Sequence, residues 1–342
     1  MKKLSSLLFI ATLVFSSCNF DNNKPSAYHD NTNREDTLSG GVKLIPITTS
    51  KGVFNVWTKR VGNNPKIKVL LLHGGPGSTH EYFECFDSYF PQAEIEYYYY
   101  DQLGSAYSDN PNDSSLWNIP RFVEEVETVR KTLGMDSSNF FLLGHSWGGI
   151  LATEYALKYQ NNLKGLIISN MVPSIPDYVK YANEVLGPKL PKEVLASIRA
   201  FEAKGDYTNP TYLQLIADHY YPEHVLRMPP ATWPDPVKRA FARMNYPLYL
   251  KMQGPSEFGV VGDAVLKNWD RKADLNTITV PTLSIGGEFD TMDPKAMEEL
   301  SKLVKDGQFL YCPKGSHMSM YDDQYTYFTG LVKFIKGVDA RK

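Results

Sequence analysis

Cysteine is scarce in this chain, with three residues among 342: Cys18, Cys85 and Cys312. No two of them stand in a C-x-x-C spacing, which excludes a disulfide scaffold and a zinc ribbon. Histidine is nearly as sparse, with seven residues and no H-E-x-x-H pair, so the zinc-peptidase signature is absent. An excess of one charge is lacking too. The 36 basic and 38 acidic residues leave a formal net charge of −2, which gives no attraction to nucleic acid or to an anionic membrane. There is no P-loop, and "GGPG" opens no dinucleotide fingerprint. These absences point to chemistry without a metal, a cofactor or a nucleic-acid partner.

What is present is globular. Hydrophobic residues make up 42% and charged residues 22%, values typical of packed domains. The first residues stand apart. Lys2 and Lys3 precede an apolar run from Leu4 to Phe15, followed by Ser16-Ser17-Cys18. This reads as a signal peptide over 1–17. The small residues before Cys18 resemble a bacterial lipobox, with Cys18 as the lipidated residue. The polar stretch over 18–40 reads as a flexible tether. The expectation is a protein held in a bacterial cell envelope, on the periplasmic face or the cell surface, touching the membrane only through a lipid anchor. Cys85 and Cys312 are expected as buried free thiols.

From Gly41 the chain alternates strand-like and helix-like segments. Two alternating runs around Ser50-Lys51-Gly52 predict a hairpin. The segments "IKVLLLHGGPG", "AEIEYYYYDQLG", "NFFLLGHS", "LKGLIISNM", "VPTLSIGGEFD" and "GQFLYCPKGSHM" predict buried strands that end in loops. Phe122, Val126, Val129 and Leu133 share one helical face, with Glu124, Glu125 and Arg130 turned elsewhere. Tyr325, Phe328, Leu331, Val332 and Ile335 predict an amphipathic closing helix. The pattern is an α/β fold, a mostly parallel sheet with helices on both faces. The segment 173–261 lacks a convincing buried strand and is rich in Pro, Tyr and Trp. It reads as an inserted helical cap between two parts of the core, 41–172 and 262–342.

Gly144-His145-Ser146-Trp147-Gly148 fits G-x-S-x-G, the nucleophile elbow. A sharp strand-to-helix turn exposes the hydroxyl, and small residues on either side relieve the crowding. A serine hydroxyl needs a base, and α/β hydrolases place nucleophile, acid and histidine in that order. Only His317 follows the last strand. Asp290, at the end of "TLSIGGEFD", is the candidate acid; Asp293 competes, but its place before Pro294 suits a helix cap. The tetrahedral intermediate needs donors, and the backbone N–H groups of Trp147 and of Gly75 in "HGGPG" are the candidates.

With "HGGPG", "DQLGSAYSD", "GHSWGG", "GEFD" and "GSHM" in order, the sequence from about Gly41 onward resembles the proline iminopeptidase family of α/β-hydrolase serine peptidases. The resemblance implies release of an N-terminal residue, often proline, from short peptides through an acyl-enzyme, with no cofactor. It implies Ser146 as nucleophile, Asp290 as triad acid, His317 as base, and Gly75 and Trp147 as the oxyanion hole. It also implies that Glu257, in "QGPSEF", binds the free amino group. Some members carry a second glutamate after the triad aspartate; here that position is Thr291, and Glu288 is the candidate replacement. In "DQLGSAYSD" Ala106 stands where many relatives have glycine. Aromatics of the cap segment (Tyr207, Tyr212, Tyr246, Tyr249 and Phe258) are candidate walls. The same triad also serves esterases, lactonases and amino-acid amidases, and a peptide-binding lipoprotein without activity is the reading from another class.

Overall fold

A computed structural model of the chain describes residues 27–32 and 34–341. The expected signal peptide and the lipidated Cys18 lie outside the described residues. Eight strands form one sheet in the order β1-β2-β4-β3-β5-β6-β7-β8. They are β1 (Val42–Thr49), β2 (Gly52–Val61), β3 (Lys68–Leu72), β4 (Glu96–Asp101), β5 (Phe140–His145), β6 (Gly165–Ser169), β7 (Thr282–Gly287) and β8 (Gly307–Cys312). The hairpin β1–β2 is antiparallel and β2 joins β4 antiparallel. All remaining pairs are parallel.

Strand alternation divides the core into two layers. Leu70, Leu72, Leu142, Leu166 and Ile168 face one side of the sheet; Val69, Leu71, Phe141, Leu143 and Ile167 face the other. The period of two therefore turns continuous apolar runs into two buried faces. Helices cover both: α1 (Ile119–Thr132) and α2 (Trp147–Tyr159) contribute to the first layer. Between β6 and β7 lie α3 (Ile175–Tyr181), α4 (Lys192–Ala203), α5 (Pro210–His219), α6 (Tyr221–His224), α7 (Asp235–Ala242) and α8 (Tyr246–Met252), with no strand among them. Part of this segment has its own small core, built from Leu186, Ile198, Tyr212, Ile216, Tyr220 and Phe258. After β7 come α9 (Pro294–Leu303), α10 (Ser319–Asp322) and α11 (Gln324–Asp339).

Three expectations change. The stretch before Gly41 does not stand clear of the domain where it is described. Tyr28 is buried and its hydroxyl donates to the Ile95 carbonyl at 3.0 Å, so an aromatic ring in a polar stretch anchors the segment. Glu125, expected outside, is fully buried. It accepts from the Tyr100 hydroxyl, Leu103 N–H and Arg121, and a charge satisfied this way tolerates burial. In α11, Tyr327, Phe328, Leu331, Phe334, Ile335 and Val338 form the inner face, while Tyr325 is 80% exposed. Cys85 and Cys312 are both free.

Candidate active site

The carboxyl ends of β3, β5, β6 and β7 converge on one edge of the sheet, where open α/β sheets place their sites. At the end of β5 the backbone turns sharply. Ser146 has φ 57° and ψ −127°, a conformation that L-residues adopt only when the surroundings enforce it. The enforcement is visible. Ser146 N–H donates to Ser169 O at 3.0 Å, and its carbonyl accepts from Gly149 N–H at 2.7 Å. A Cβ on Gly144 would lie 1.9 Å from the Gly148 oxygen, so the turn closes only with glycine. Trp147 opens α2, and its N–H is among those that a helix start leaves without an intrahelical acceptor.

The loop after β3 lies against this serine. A Cβ added to Gly74 would sit 2.9 Å from the Ser146 Cβ and 3.3 Å from its Oγ. Gly75 takes φ +104°. The segment after β4 clamps the loop: Gln102 N–H donates to His73 Nε2 at 3.1 Å, and Gln102 Nε2 donates to His73 O at 3.0 Å. Its Oε1 accepts from the Trp147 indole N–H at 2.8 Å. One glutamine thus ties the loop to the elbow.

His317 and Asp290 meet in the loops after β8 and β7. His317 Nδ1 donates to Asp290 Oδ1 at 2.8 Å. Asp290 Oδ2 accepts from Asn170 Nδ2 at 2.7 Å, and Oδ1 also accepts from Met292 N–H at 3.2 Å. Burial lowers the pKa of His317, but the charge of Asp290 and the hydrogen bond to it outweigh this, with Glu257 adding; the net shift is upward. Nε2 of His317 is buried and makes no hydrogen bond, to Ser146 included; such contacts tighten in the Michaelis complex. Asp293 accepts from Lys295 N–H as the N-cap of α9.

Glu257 is 8% exposed. Its Oε1 accepts from the Tyr249 hydroxyl at 2.7 Å, and its Oε2 has no partner. Burial pushes its carboxyl up; His317 and the Tyr249 hydroxyl pull it down without cancelling that, and Asp290 adds to the rise. Glu257 therefore stands within electrostatic reach of His317 and Asp290. Glu288 does not join it. It is exposed and accepts from Tyr311 at 2.5 Å. Thr291 is buried and its hydroxyl donates to Asp290 at 3.2 Å. Of the candidate walls, Tyr249 meets Glu257, whereas Tyr212 and Phe258 belong to the core of the segment between β6 and β7.

The family model of the α/β hydrolase fold matches residues 68–324. A proline iminopeptidase of Elizabethkingia meningoseptica is 59% identical over 298 residues, which cover 87% of this chain and 99% of the relative. Another, of Flavobacterium johnsoniae, is 57% identical over 299 residues, again 87% and 99%. The chain belongs to the proline iminopeptidase family. The solved structure of the proline iminopeptidase from Mycobacterium smegmatis matches with a TM-score of 0.76 at 28% identity, covering 87% of this chain and 98% of that one. These proline iminopeptidases correct one expectation. They are matched over 99% of their own length by 87% of this chain, so the catalytic unit accounts for them and nothing in them supports an anchored envelope protein. Among the described residues no helix is long and apolar enough to cross a membrane. The envelope localisation is withdrawn.

In this proline iminopeptidase fold a chain of hydrogen bonds runs beneath the site that motif reading did not show. His145 Nε2 faces the His317 carbonyl at 2.8 Å and Nδ1 faces the Tyr82 hydroxyl at 3.0 Å. A carbonyl only accepts, so Nε2 carries the proton and Nδ1 accepts from Tyr82. Tyr82 in turn accepts from Gly74 N–H at 2.6 Å. Burial, then the His317 charge, lowers His145 to about 3, so the ring stays neutral and the polarity of the chain is fixed. Removing the hydroxyl leaves two buried groups unpaired, at about 1–3 kcal/mol each. Tyr82→Phe is expected to lower kcat about tenfold or more with KM little changed, read by steady-state assay. An unchanged kcat would show that the chain does not hold the loop.

Proposed function

We propose that this protein is a serine aminopeptidase that releases N-terminal proline from short peptides with a free amino group. Ser146 Oγ attacks the carbonyl carbon of the first residue while His317 Nε2 takes the hydroxyl proton. Asp290 holds Nδ1–H, which keeps Nε2 free to accept, and stabilises the imidazolium that forms. The N–H groups of Gly75 and Trp147 receive the oxyanion. His317 then protonates the departing amine, and water, deprotonated by the same histidine, releases the acyl group from Ser146.

The observation that carries this reading is the unpaired Oε2 of Glu257. A buried carboxylate oxygen without a partner is costly, and a cation is what repays it. The substrate's ammonium group supplies that cation, through a charge-assisted hydrogen bond. Binding the amine at a fixed distance from Ser146 admits one residue before the scissile bond, which makes an exopeptidase.

The test compares prolyl p-nitroanilide with its N-acetylated form. The wild-type enzyme is expected to turn over only the free amine. Glu257→Gln leaves the bound ammonium without its counter-charge, a loss of about 3–5 kcal/mol, so kcat/KM for the free amine is expected to fall about 10²–10⁴-fold. Equal turnover of the acetylated substrate by the wild type would overturn the aminopeptidase reading in favour of an esterase or amidase.

A further inference from the structure

Glu257 is ringed by tyrosines, and three of the four hydroxyls are engaged. Tyr249 donates to Glu257 Oε1 at 2.7 Å. Tyr178 donates to the Glu257 carbonyl at 2.6 Å and accepts from Gly259 N–H at 3.1 Å. Tyr221 accepts from Glu257 N–H at 3.5 Å. The fourth, Tyr220, is fully buried and its hydroxyl has no partner.

Packing fixes where Tyr220 stands. Its ring meets Phe258, next in the chain to Glu257, edge-on at 4.8 Å between centroids. On another side it meets His224, also at 4.8 Å. His224 Nδ1 donates to the carbonyl of Phe289, the neighbour of Asp290, at 2.9 Å, and the His224 carbonyl accepts from His317 N–H at 2.9 Å. Tyr220 therefore sits between the Glu257 segment and both triad loops. Burial, followed by the charges of Glu257 and Asp290, keeps its phenol protonated. Buried phenols normally find a partner, and an unsatisfied one costs about 1–3 kcal/mol.

Besides His317 Nε2, the base, two buried oxygens of this region stand without a partner, Glu257 Oε2 and Tyr220 Oη. Thr291, beside the triad acid, already donates to Asp290 at 3.2 Å and lies 3.4 Å from His317 Nδ1. An N-terminal proline is a secondary ammonium with two N–H bonds; every other N-terminal residue is a primary ammonium with three. We propose that Tyr220 is a specificity-determining residue whose hydroxyl oxygen accepts one N–H of an N-terminal secondary ammonium while Glu257 Oε2 accepts the other. The proposal rests on the aminopeptidase reading and extends it. A secondary ammonium gives one N–H to each of these two oxygens, whereas a primary ammonium carries a third N–H that neither contact takes. Selection for proline then comes from counting donors as well as from fitting a ring.

The experiment measures kcat/KM for prolyl, N-methylalanyl and alanyl p-nitroanilides with wild type and Tyr220→Phe. The p-nitrophenyl ester of cyclopentanecarboxylic acid, which has a ring of the same size and no N–H, serves as control. In the wild type N-methylalanyl is expected to exceed alanyl by about tenfold, although both are acyclic. Tyr220→Phe keeps the ring packed and is expected to lower prolyl and N-methylalanyl about tenfold, chiefly through KM, and to leave the ester unchanged. Equal wild-type rates for N-methylalanyl and alanyl would overturn the proposal. So would an unchanged prolyl rate in Tyr220→Phe, or an equal fall on the ester, which marks a structural role. Failure of the underlying aminopeptidase reading looks different: the wild type would cleave acetylprolyl anilide as well as the free amine, or no aminoacyl anilide at all.

Discussion

Ser146→Ala is expected to lower kcat on prolyl p-nitroanilide about 10⁶-fold, the scale seen when a triad serine is removed from a hydrolase. The variant should fold as the wild type does. The strained backbone at Ser146 is held by Ser169 O and Gly149 N–H and by the contact of Gly144 with Gly148; none of these uses the hydroxyl. Alanine keeps the Cβ that the turn already accommodates. Loss of activity with an unchanged thermal melt therefore isolates the nucleophile. Binding should survive as well, because Glu257 and Tyr220 are untouched. A Pro-Xaa dipeptide titrated calorimetrically into the variant is expected to bind with an affinity close to its wild-type KM. Residual turnover well above about one part in 10⁶, the level at which an oxyanion hole and binding alone still exceed water by about 10³–10⁴-fold, would assign the attack to another group.

How legible these features were in the sequence depends on the range of the interaction. The strands were legible because continuous apolar runs such as Val69–Leu72 bury both faces. The chain order of Ser146, Asp290 and His317 was legible because each follows a strand in a parallel sheet, so all three reach one edge. Glu288 lies apart from His317, where Asp290 meets it. Two residues earlier, at the end of β7, its side chain turns outward to Tyr311. Asn170 was missed, although a polar residue directly after the buried run of β6 was a usable signal. Tyr82, His145 and Tyr220 gave none. Their roles come from hydroxyls and ring nitrogens brought together across 63 residues for Tyr82 and His145, and from packing against Phe258 and His224 for Tyr220. Glu125 was placed outside because helical periodicity sorts residues by charge and does not see partners such as Arg121 and Tyr100.

Asp290→Asn is expected to lower kcat about 10⁴-fold, as when a triad aspartate becomes asparagine elsewhere, and the surroundings dictate the cause. Ser169 Oγ donates to Asn170 Oδ1 at 2.8 Å, which fixes that amide and points its NH₂ at residue 290. Asn170 Nδ2 donates at once toward Asp290 Oδ2, Ser316 O and Ser319 Oγ, so it demands an acceptor at 290. An asparagine there must turn its oxygen to Asn170 and its NH₂ to His317. His317 Nδ1 then becomes the acceptor, the proton moves to Nε2, and the base can no longer take the Ser146 proton. The pH profile of kcat provides a second readout, because it reports groups in the complex, where Glu257 is already paired with the amine. In the wild type the working form of His317 is neutral and its pKa is raised, so kcat climbs as pH rises through a value above that of an ordinary histidine. In the variant the raising charge is gone while burial remains, so the acid limb moves to lower pH. A limb that stays in place would mean that Asp290 does not set the titration of His317.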